Sequence, residues 1–464
     1  MLTLAAQSGL AEVRWVSPQG DDGGPGTKSR PWRTPHAAAE KAKPGDEVVF
    51  RGGLYELDRT VGITFQGAPN RWTVWRAAEG EKPVFDFAKA RPERPYGDQG
   101  ALDLLAAAYV RLRGLRVQNS HYAGIFLQRG CKFIDIQDCE TDMTFQPGIG
   151  GWNSEDVRIV GNEVTRANEP RMRLFGNPRN ECPHEAISIA GVKQFEAAWN
   201  RVHSSIKEGI DVKEVSANGI VHHNYVHNLE RQAYYADAWF GLLHDVEFVS
   251  NIAHDCEWGL VISSEGRNAE LKNVTVRNNL LYRNRASGIY FGTWGGDGPR
   301  SGIRILHNTL AWNGRNGHWA GATGNLDVRS KAPRDVRIEG NLLVEGGAYQ
   351  MATFLPPAEP AGFQERSIVA VRNAFQGRFE KTDEPSPYGQ VHAWYGDQPW
   401  FGEVGFRDAE NGDLRLARGP KGYGAFPGGE EILPKVASPL KGFPRYEVRK
   451  ALFPKRILRL WGID

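Results

Sequence analysis

The sequence predicts an all-β fold, a single-stranded right-handed parallel β-helix with an N-terminal capping helix, and three observations predict it. A short phrase centred on Asn recurs through nine units at spacings near two dozen residues. Within each unit apolar and polar residues alternate with period two, the strand period, and no helical period competes. Glycine is abundant, at 54 residues, among many β-branched positions, which suits short strands separated by turns.

Taken from the N-terminus, HAAAEKA reads as a short amphipathic helix stopped by KPGD, which leads into the strand EVVF. A solenoid's first coil leaves an open apolar end, and such a helix covers it. The repeat follows in DVRIVGNEV, FEAAWNRV, GIVHHNYV, DVEFVSNIA, NVTVRNNLL, GIRILHNTL and DVRIEGNLL. Its Asn residues are Asn162, Asn200, Asn224, Asn251, Asn279, Asn308 and Asn341, with Cys139 and Leu115 in the same slot upstream. The successive spacings are 24, 23, 38, 24, 27, 28, 29 and 33 residues. Each unit is long enough for two or three short strands, stacked on its neighbours at about 4.8 Å. The corner Asn is expected to tolerate left-handed backbone and to hydrogen-bond along the stack as a ladder. A β-propeller is the rival, but blades need about 40 residues and hairpin turns, and NG or DG signals are sparse. Longer units carry insertions, ANEPRMRLFGNPRNECPH (Ala167 to His184) and NGRNGHWAGATG, expected to rim a binding face. FRDAENGDLRLARG, from Phe406, reads as a closing strand piece. The expected organisation is one unit over 1–428, with a cap at about 12–90 and coils at about 100–428. A C-terminal tail over 429–464 packs on it.

Composition narrows the function classes. Charges nearly cancel, with 57 basic and 55 acidic residues interspersed, so no nucleic-acid stripe or acidic tail is present. No run of about 20 apolar residues suggests a membrane span. The opening MLTLAAQSGLAEV lacks the charged start and long apolar run of a signal peptide. Secretion or export to a periplasm is expected if it is the trimmed remnant of one. Cys131, Cys139, Cys182 and Cys256 show neither CxxC pairing nor zinc spacing, and Cys139, on a repeat slot, is expected to be a buried thiol. The 14 Trp suit sugar stacking, against the plainer reading that aromatics fill the core.

The stretch WVSPQGDDGGPGTKSRPWRTPHAAAEKAKPGDEVVFRGGLYEL, followed by AAEGEKPVFDF, resembles the opening of bacterial β-helical carbohydrate-active enzymes of the pectate-lyase-like superfamily. These include family 9 pectate lyases and β-helical β-xylosidases. The resemblance covers roughly Trp15 to Phe87 and, more loosely, the repeats to Leu343. It implies the fold and a glycan ligand. The reaction is not implied, because the same cap fronts lyases, hydrolases and epimerases.

Aligning a second strand from successive units (HEAISIAG, EGIDVKEV, YYADAWFG, WGLVISSEG, SGIYFGTWG, GNLDVRS) places Ser188, Asp211, Asp237, Val261, Tyr290 and Asp327 on one outward face. The densest mixture of acids, bases and aromatics in the chain surrounds them. Asp211 and Asp237 fall in equivalent slots of adjacent coils, so their carboxyls are expected about 5 Å apart. One is then forced to hold a proton, and the separation matches that of retaining glycosidases. Glu265 lies one coil further but four residues past the slot, and joins the site only if the chain bends back near Ser264. The competing readings of the aspartates are a calcium site and a structural ladder. No other cofactor is expected. Expected substrate contacts are His184, Glu185, Lys213, Arg231, Tyr235, Trp239, Tyr290, Trp294, Trp319 and Arg329. For His184 the plainer alternative is a hydrogen-bonded structural residue, and for Lys213 a salt bridge within the ladder.

Three functions follow from these residues. The leading one is a glycoside hydrolase acting on a plant or algal poly- or oligosaccharide, with Asp211, Asp237 and Glu265 as its carboxyls. The second is a uronate lyase with Lys213 as base and Arg231 or Arg329 neutralising the uronate. EGIDVKEVSANGIVHHN resembles the catalytic-lysine coil of β-helical alginate lyases. The chain departs from that pattern, with YYADAWFG where an Arg is typical. It also lacks the DDGWD-type acidic cluster of family 9 pectate lyases. The third is a non-catalytic carbohydrate-binding β-helix.

Overall fold

The computed structural model describes residues 11–91, 99–174, 182–315, 324–354, 360–377, 385–386, 389–390, 392–424 and 436–463. Three long sheets of 13, 12 and 13 strands run the length of the molecule, and each coil contributes one strand to each. One coil illustrates the path: Lys193–Ala198 in the first sheet, Arg201–His203 in the next, then Ile210–Lys213 in the 12-stranded sheet, before Ala217–His222 returns to the first. Neighbouring coils pair in parallel throughout, apart from His392–Ala393, which adds antiparallel to the end of the 12-stranded sheet. This is the right-handed parallel β-helix that the repeat predicts.

Period-two alternation produces the core. In Ile210–Lys213, Ile210 and Val212 point inward and are fully buried, and Asp211 and Lys213 take the outer face. Stacking identical slots every coil turns each inward position into an apolar column, such as Ile134, Val157 and Phe195. Arg, Asp and Glu side chains face outward between such columns.

The Asn ladder forms as expected and runs one coil further than the sequence reading, to Asn373. From Asn162 to Asn341, the backbone N–H and the side-chain amide of each Asn donate to Oδ1 of the next, at 2.8–3.1 Å. The amide also donates to a carbonyl of the preceding coil, for example Asn251 to Val221 at 2.8 Å. The left-handed corner belongs to a different residue from the one expected. The Asn itself is not at positive φ. Its predecessor is: Gly161, Trp199, His223, Ser250, Asn278, His307, Gly340 and Arg372. The strain of the corner thus sits one position earlier, and the amide is left free to satisfy two coils. A second ladder, Asn284 to Asn313 to Asn325 to Gln350, gives no regular sequence signal because its spacings are irregular.

At the N-terminal end, the helix Pro35–Lys41 is capped by the Thr34 side chain, which accepts from the Ala37 N–H, and it buries Pro35, Ala37 and Ala38. The closing piece is an antiparallel hairpin, Gly405–Asp408 with Asp413–Arg418. Further on, Tyr446 donates to Asp138 at 2.9 Å, and Trp461 Nε1 donates to the Ser250 carbonyl at 2.8 Å. All four cysteines are buried and free, Cys139 among them.

Candidate active site

A cavity of about 570 Å³, within the size range of small-molecule sites, opens over the 12-stranded sheet midway along the stack. Its floor comes from Ile210–Lys213 and Gln232–Ala238, with Trp258, the first residue of Trp258–Ser264, beside them. Turns entering these strands supply one wall, with His184, Glu185, Lys207, Glu208 and Arg231. Turns leaving them supply the other, with Glu214, Trp239, Glu265 and Trp294.

The coil register differs from the one expected. Asp211 pairs with Tyr235, and Asp237 pairs with Lys213 below it and Ser263 above. Asp211 and Asp237 therefore sit on a diagonal, two residues and one coil apart, and their Cα atoms are roughly 8 Å apart by strand and coil spacing. The expectation of equivalent slots about 5 Å apart is corrected. Matching acid to acid misplaced the strand by two residues, because the inward column continues through Tyr234, a fully buried aromatic, opposite Ile210. A slip of two keeps the parity, so both aspartates still face outward.

Glu265 does join the site, although it lies two residues beyond the Asp237 slot. Its carboxylate reaches back to accept a short hydrogen bond from the Tyr235 hydroxyl and one from Ser263 at 2.9 Å. Lys213 Nζ donates to Glu185 Oε1 at 2.9 Å, and Ser188 donates to Glu185 Oε2 at 2.7 Å. Arg231 donates to Glu208 at 3.1 Å, and Lys207 lies 3.8 Å from the same carboxylate. Asp211 and Asp237 are 1% and 3% exposed, and the Oδ1 atom of each has no hydrogen-bond partner.

These placements set the protonation states. Burial, reinforced by the charge of Glu185, holds the Asp211 carboxyl well above the usual carboxylate range. Burial and then Glu265 do the same for Asp237. Burial raises Glu265 as well, against the opposing hydrogen bonds from Tyr235 and Ser263. For Glu185 burial acts upward, but the Lys213 ammonium outweighs it and brings the group down to about 2. Burial alone would discharge Lys213. The carboxyls of Glu185, Asp211 and Asp237 instead raise it above its ordinary range. The floor thus gathers carboxyls of raised proton affinity beside a locked ion pair.

Aromatics close one end. Trp258 and Trp294 meet edge to face at 5.0 Å, Tyr290 lies 5.3 Å from Trp294, and Tyr235 lies 6.4 Å from it. Trp239 stands half exposed on the rim beside Phe240. At the other end the His184 ring packs edge-on to Trp152 at 4.6 Å.

Of the residues expected from sequence, His184, Glu185, Asp211, Lys213, Arg231, Tyr235, Asp237, Trp239, Glu265 and Trp294 line the cavity. Tyr290 lies behind Trp294 as packing. Arg329 is not at the cavity: it is locked to Asp327 at 2.5 Å and to Tyr349 at 2.9 Å, beneath the Tyr290 ring. Trp319 falls outside the described residues. Sequence reading missed Cys182, Pro183, Glu214 and Gln232, which also line the cavity, and left out Lys207 and Glu208 as contacts. Glu214 escaped because it follows the strand in a left-handed turn, φ 61°, where strand parity no longer says which way a side chain points. Among the described residues, no group of three or more His, Cys, Asp or Glu side chains is arranged to hold a metal ion.

Comparison with known proteins places these features in context. The family model described as "Pel9A-like, right handed beta helix region" matches residues 14–167. The model described as "Right handed beta helix region" matches 101–273 and 180–332, together half of the chain. The uncharacterized protein YwoF of Bacillus subtilis (strain 168) is 26% identical over 381 residues, covering 74% of this chain and 77% of that protein. Pectate lyase PEL9 of Emericella nidulans is 31% identical over 121 residues, which are 24% of this chain and 29% of the lyase. Among solved structures, PfbA, a surface adhesin of Streptococcus pneumoniae, superposes with a TM-score of 0.50 at 12% identity, over 82% of this chain and 93% of the other. At that identity the likeness is one of fold.

Proposed function

We propose, from the premise that this chain belongs to the right-handed β-helix family, that it is a glycoside hydrolase cleaving a plant or algal oligosaccharide in the cavity over the 12-stranded sheet. One observation carries the reading: a nearly buried aspartate, Asp237, keeps an unpartnered oxygen at the cavity next to an oriented carboxyl, Glu265, and burial with that neighbour pushes its pKa well above the usual carboxylate range. A glycosidic oxygen departs readily only if it is protonated as the bond breaks, and a carboxyl with a raised pKa is the donor that chemistry requires. In this reading Asp237 donates the proton. Glu265, ionised in this reading and oriented by Tyr235 and Ser263, faces the oxocarbenium-like centre; water then adds there, its hydroxyl completing the free sugar and its proton returning to Asp237. Asp211, one coil below, holds a sugar hydroxyl through its open Oδ1, and Trp258 and Trp294 offer rings to the sugar's C–H face.

The likeness to a pectate lyase supports a second reading, β-elimination on a uronate. The Pel9A-like match, however, ends at residue 167, before the first residue that lines the cavity. A lyase with Lys213 as base needs a neutral amine, and three carboxyls keep this one charged.

Digestion of a glycan panel separates the readings. A hydrolase yields reducing ends alone, whereas a lyase yields products with the ultraviolet absorbance of an unsaturated uronate. Asp237→Asn is expected to bind oligosaccharide and to lose about 10²–10⁴ in turnover on natural linkages. On a dinitrophenyl glycoside, whose leaving group needs no proton, the loss is expected to be much smaller. Unchanged turnover in Asp237→Asn, or unsaturated products, would end the hydrolase reading. Binding without turnover on every glycan would favour a carbohydrate-binding role.

A further inference from the structure

The ionic inventory of the cavity defines the class of sugar it can hold. Among the described residues, six carboxyls line it against Lys207, Lys213 and Arg231, with His184 beside them. Lys213 is bound to Glu185, and Arg231 and Lys207 both turn to Glu208. The other four carboxyls, Asp211, Glu214, Asp237 and Glu265, have no cation within ion-pair distance among the described residues. They occupy the floor and the wall where the strands leave it.

We infer that the subsite over Asp211 and Asp237 takes an uncharged sugar residue and turns uronates away. This rests on the glycoside hydrolase reading and narrows its substrate. A uronate is held by a cation placed to neutralise its carboxylate. Over this floor such a group meets no unmatched lysine or arginine among the described residues and faces four carboxyls instead. In the hydrolase reading Glu265 is the ionised member, and Coulomb's law with an effective dielectric of about 20 gives that one like charge, about 5 Å away, a penalty of about a hundredfold in affinity. A neutral sugar faces no such penalty. Its hydroxyls meet the Oδ1 atoms of Asp211 and Asp237, two of the buried cavity oxygens that lack a hydrogen-bond partner among the described residues. Each accepts from a hydroxyl or, where it carries the proton, donates to one, so a neutral ring suits either state. The apolar face of the ring lies against Trp258 and Trp294, whose edge-to-face pair forms the end wall.

The test titrates the full chain with matched oligosaccharides of equal length. Xylo-, gluco- and galacto-oligosaccharides form the neutral set, and oligogalacturonides and oligomannuronates form the acidic one. Calorimetry reports binding, and digests are read for both reducing ends and unsaturated uronate. At least one neutral member is expected to bind tenfold or more tightly than every uronate, and Glu214→Gln is expected to narrow that gap. A uronate bound as well as the best neutral sugar, or no neutral sugar bound at all, overturns the inference. Uronates cleaved to saturated products overturn it and leave the hydrolase reading standing. Uronates cleaved to unsaturated products overturn both. Neutral sugars bound but not cleaved sustain the inference and remove the hydrolase reading.

Discussion

Replacing Lys213 by Met tests the electrostatic core of the site, because it removes a cation that Glu185, Asp211 and Asp237 share. Lys213 Nζ lies 2.9 Å from Glu185, and both side chains are about nine-tenths buried. At an effective dielectric of about 20 that separation corresponds to an attraction of about 6 kcal/mol, set against the cost of dehydrating both ions. Met keeps the length of the stem and leaves Glu185 as an uncompensated buried carboxylate, which is expected to cost about 3–5 kcal/mol. In the double variant Lys213→Met/Glu185→Gln that charge is gone, and the loss should be smaller than that of Lys213→Met alone by about 2–3 kcal/mol; adding the Glu185→Gln loss to that difference gives the coupling energy of the pair. The pH dependence has a definite sign. In the wild type Glu185 is brought from 4.5 to about 2. Its contribution is therefore complete above the unfolded value and is lost as pH falls from 4.5 through about 2. Without Lys213 the contribution is absent, so wild type and Lys213→Met should converge in acid. Urea unfolding of the four proteins of the cycle, at pH 7 and at pH 3, measures all of this. Additive losses, or a gap that stays constant into acid, would refute the view of Lys213 as a fixed cation.

Three further outcomes test the scaffold. Asn251→Ala removes four ladder hydrogen bonds from a fully buried position, and chemical denaturation should register a loss of about 3 kcal/mol or more. A loss under 1 kcal/mol would mean that the ladder is incidental. His227 stacks between His203 and His254 at 5.0 and 5.4 Å, and burial and then His254 depress it from 6.5 to about 3. The unfolded chain takes up that proton first, so stability should fall as pH drops from 6.5 towards 3, by at most about 5 kcal/mol. His227→Gln should flatten that slope, and an unchanged slope would assign acid sensitivity elsewhere. Arg300, fully buried, donates to the Ile262 and Gly292 carbonyls at 3.0 and 2.7 Å and pairs with Asp297 across the loop that carries Trp294. Arg300→Ala should cost about 3–5 kcal/mol, and Trp294 fluorescence, read in a Trp294→Phe difference, should shift with it. An unmoved signal would separate the loop's position from that arginine.

The fold and the face that bears the site were legible in the sequence because both rest on local rules. The Asn phrase marks one corner in each coil, and side-chain alternation marks which residues leave the core. Ten of the expected contacts, from His184 to Trp294, accordingly reach the cavity. Strand alternation, however, fixes parity and nothing finer. Which residue of one coil lies over which residue of the next depends on turn lengths and on how Tyr234 fills the interior beside Ile210. That packing alone put Asp237 over Lys213 rather than over Asp211. The charge state of Lys213, the reach of Glu265 back to Tyr235, the entry of Glu214 through a left-handed turn and the locking of Arg329 by Asp327 are likewise matters of distance between coils. The chain by itself determined that acids, bases and indoles would share one outward face. The tertiary structure decided which of them touch, because electrostatic and hydrogen-bond energies change over an ångström or two, and period-two alternation repeats only every other residue.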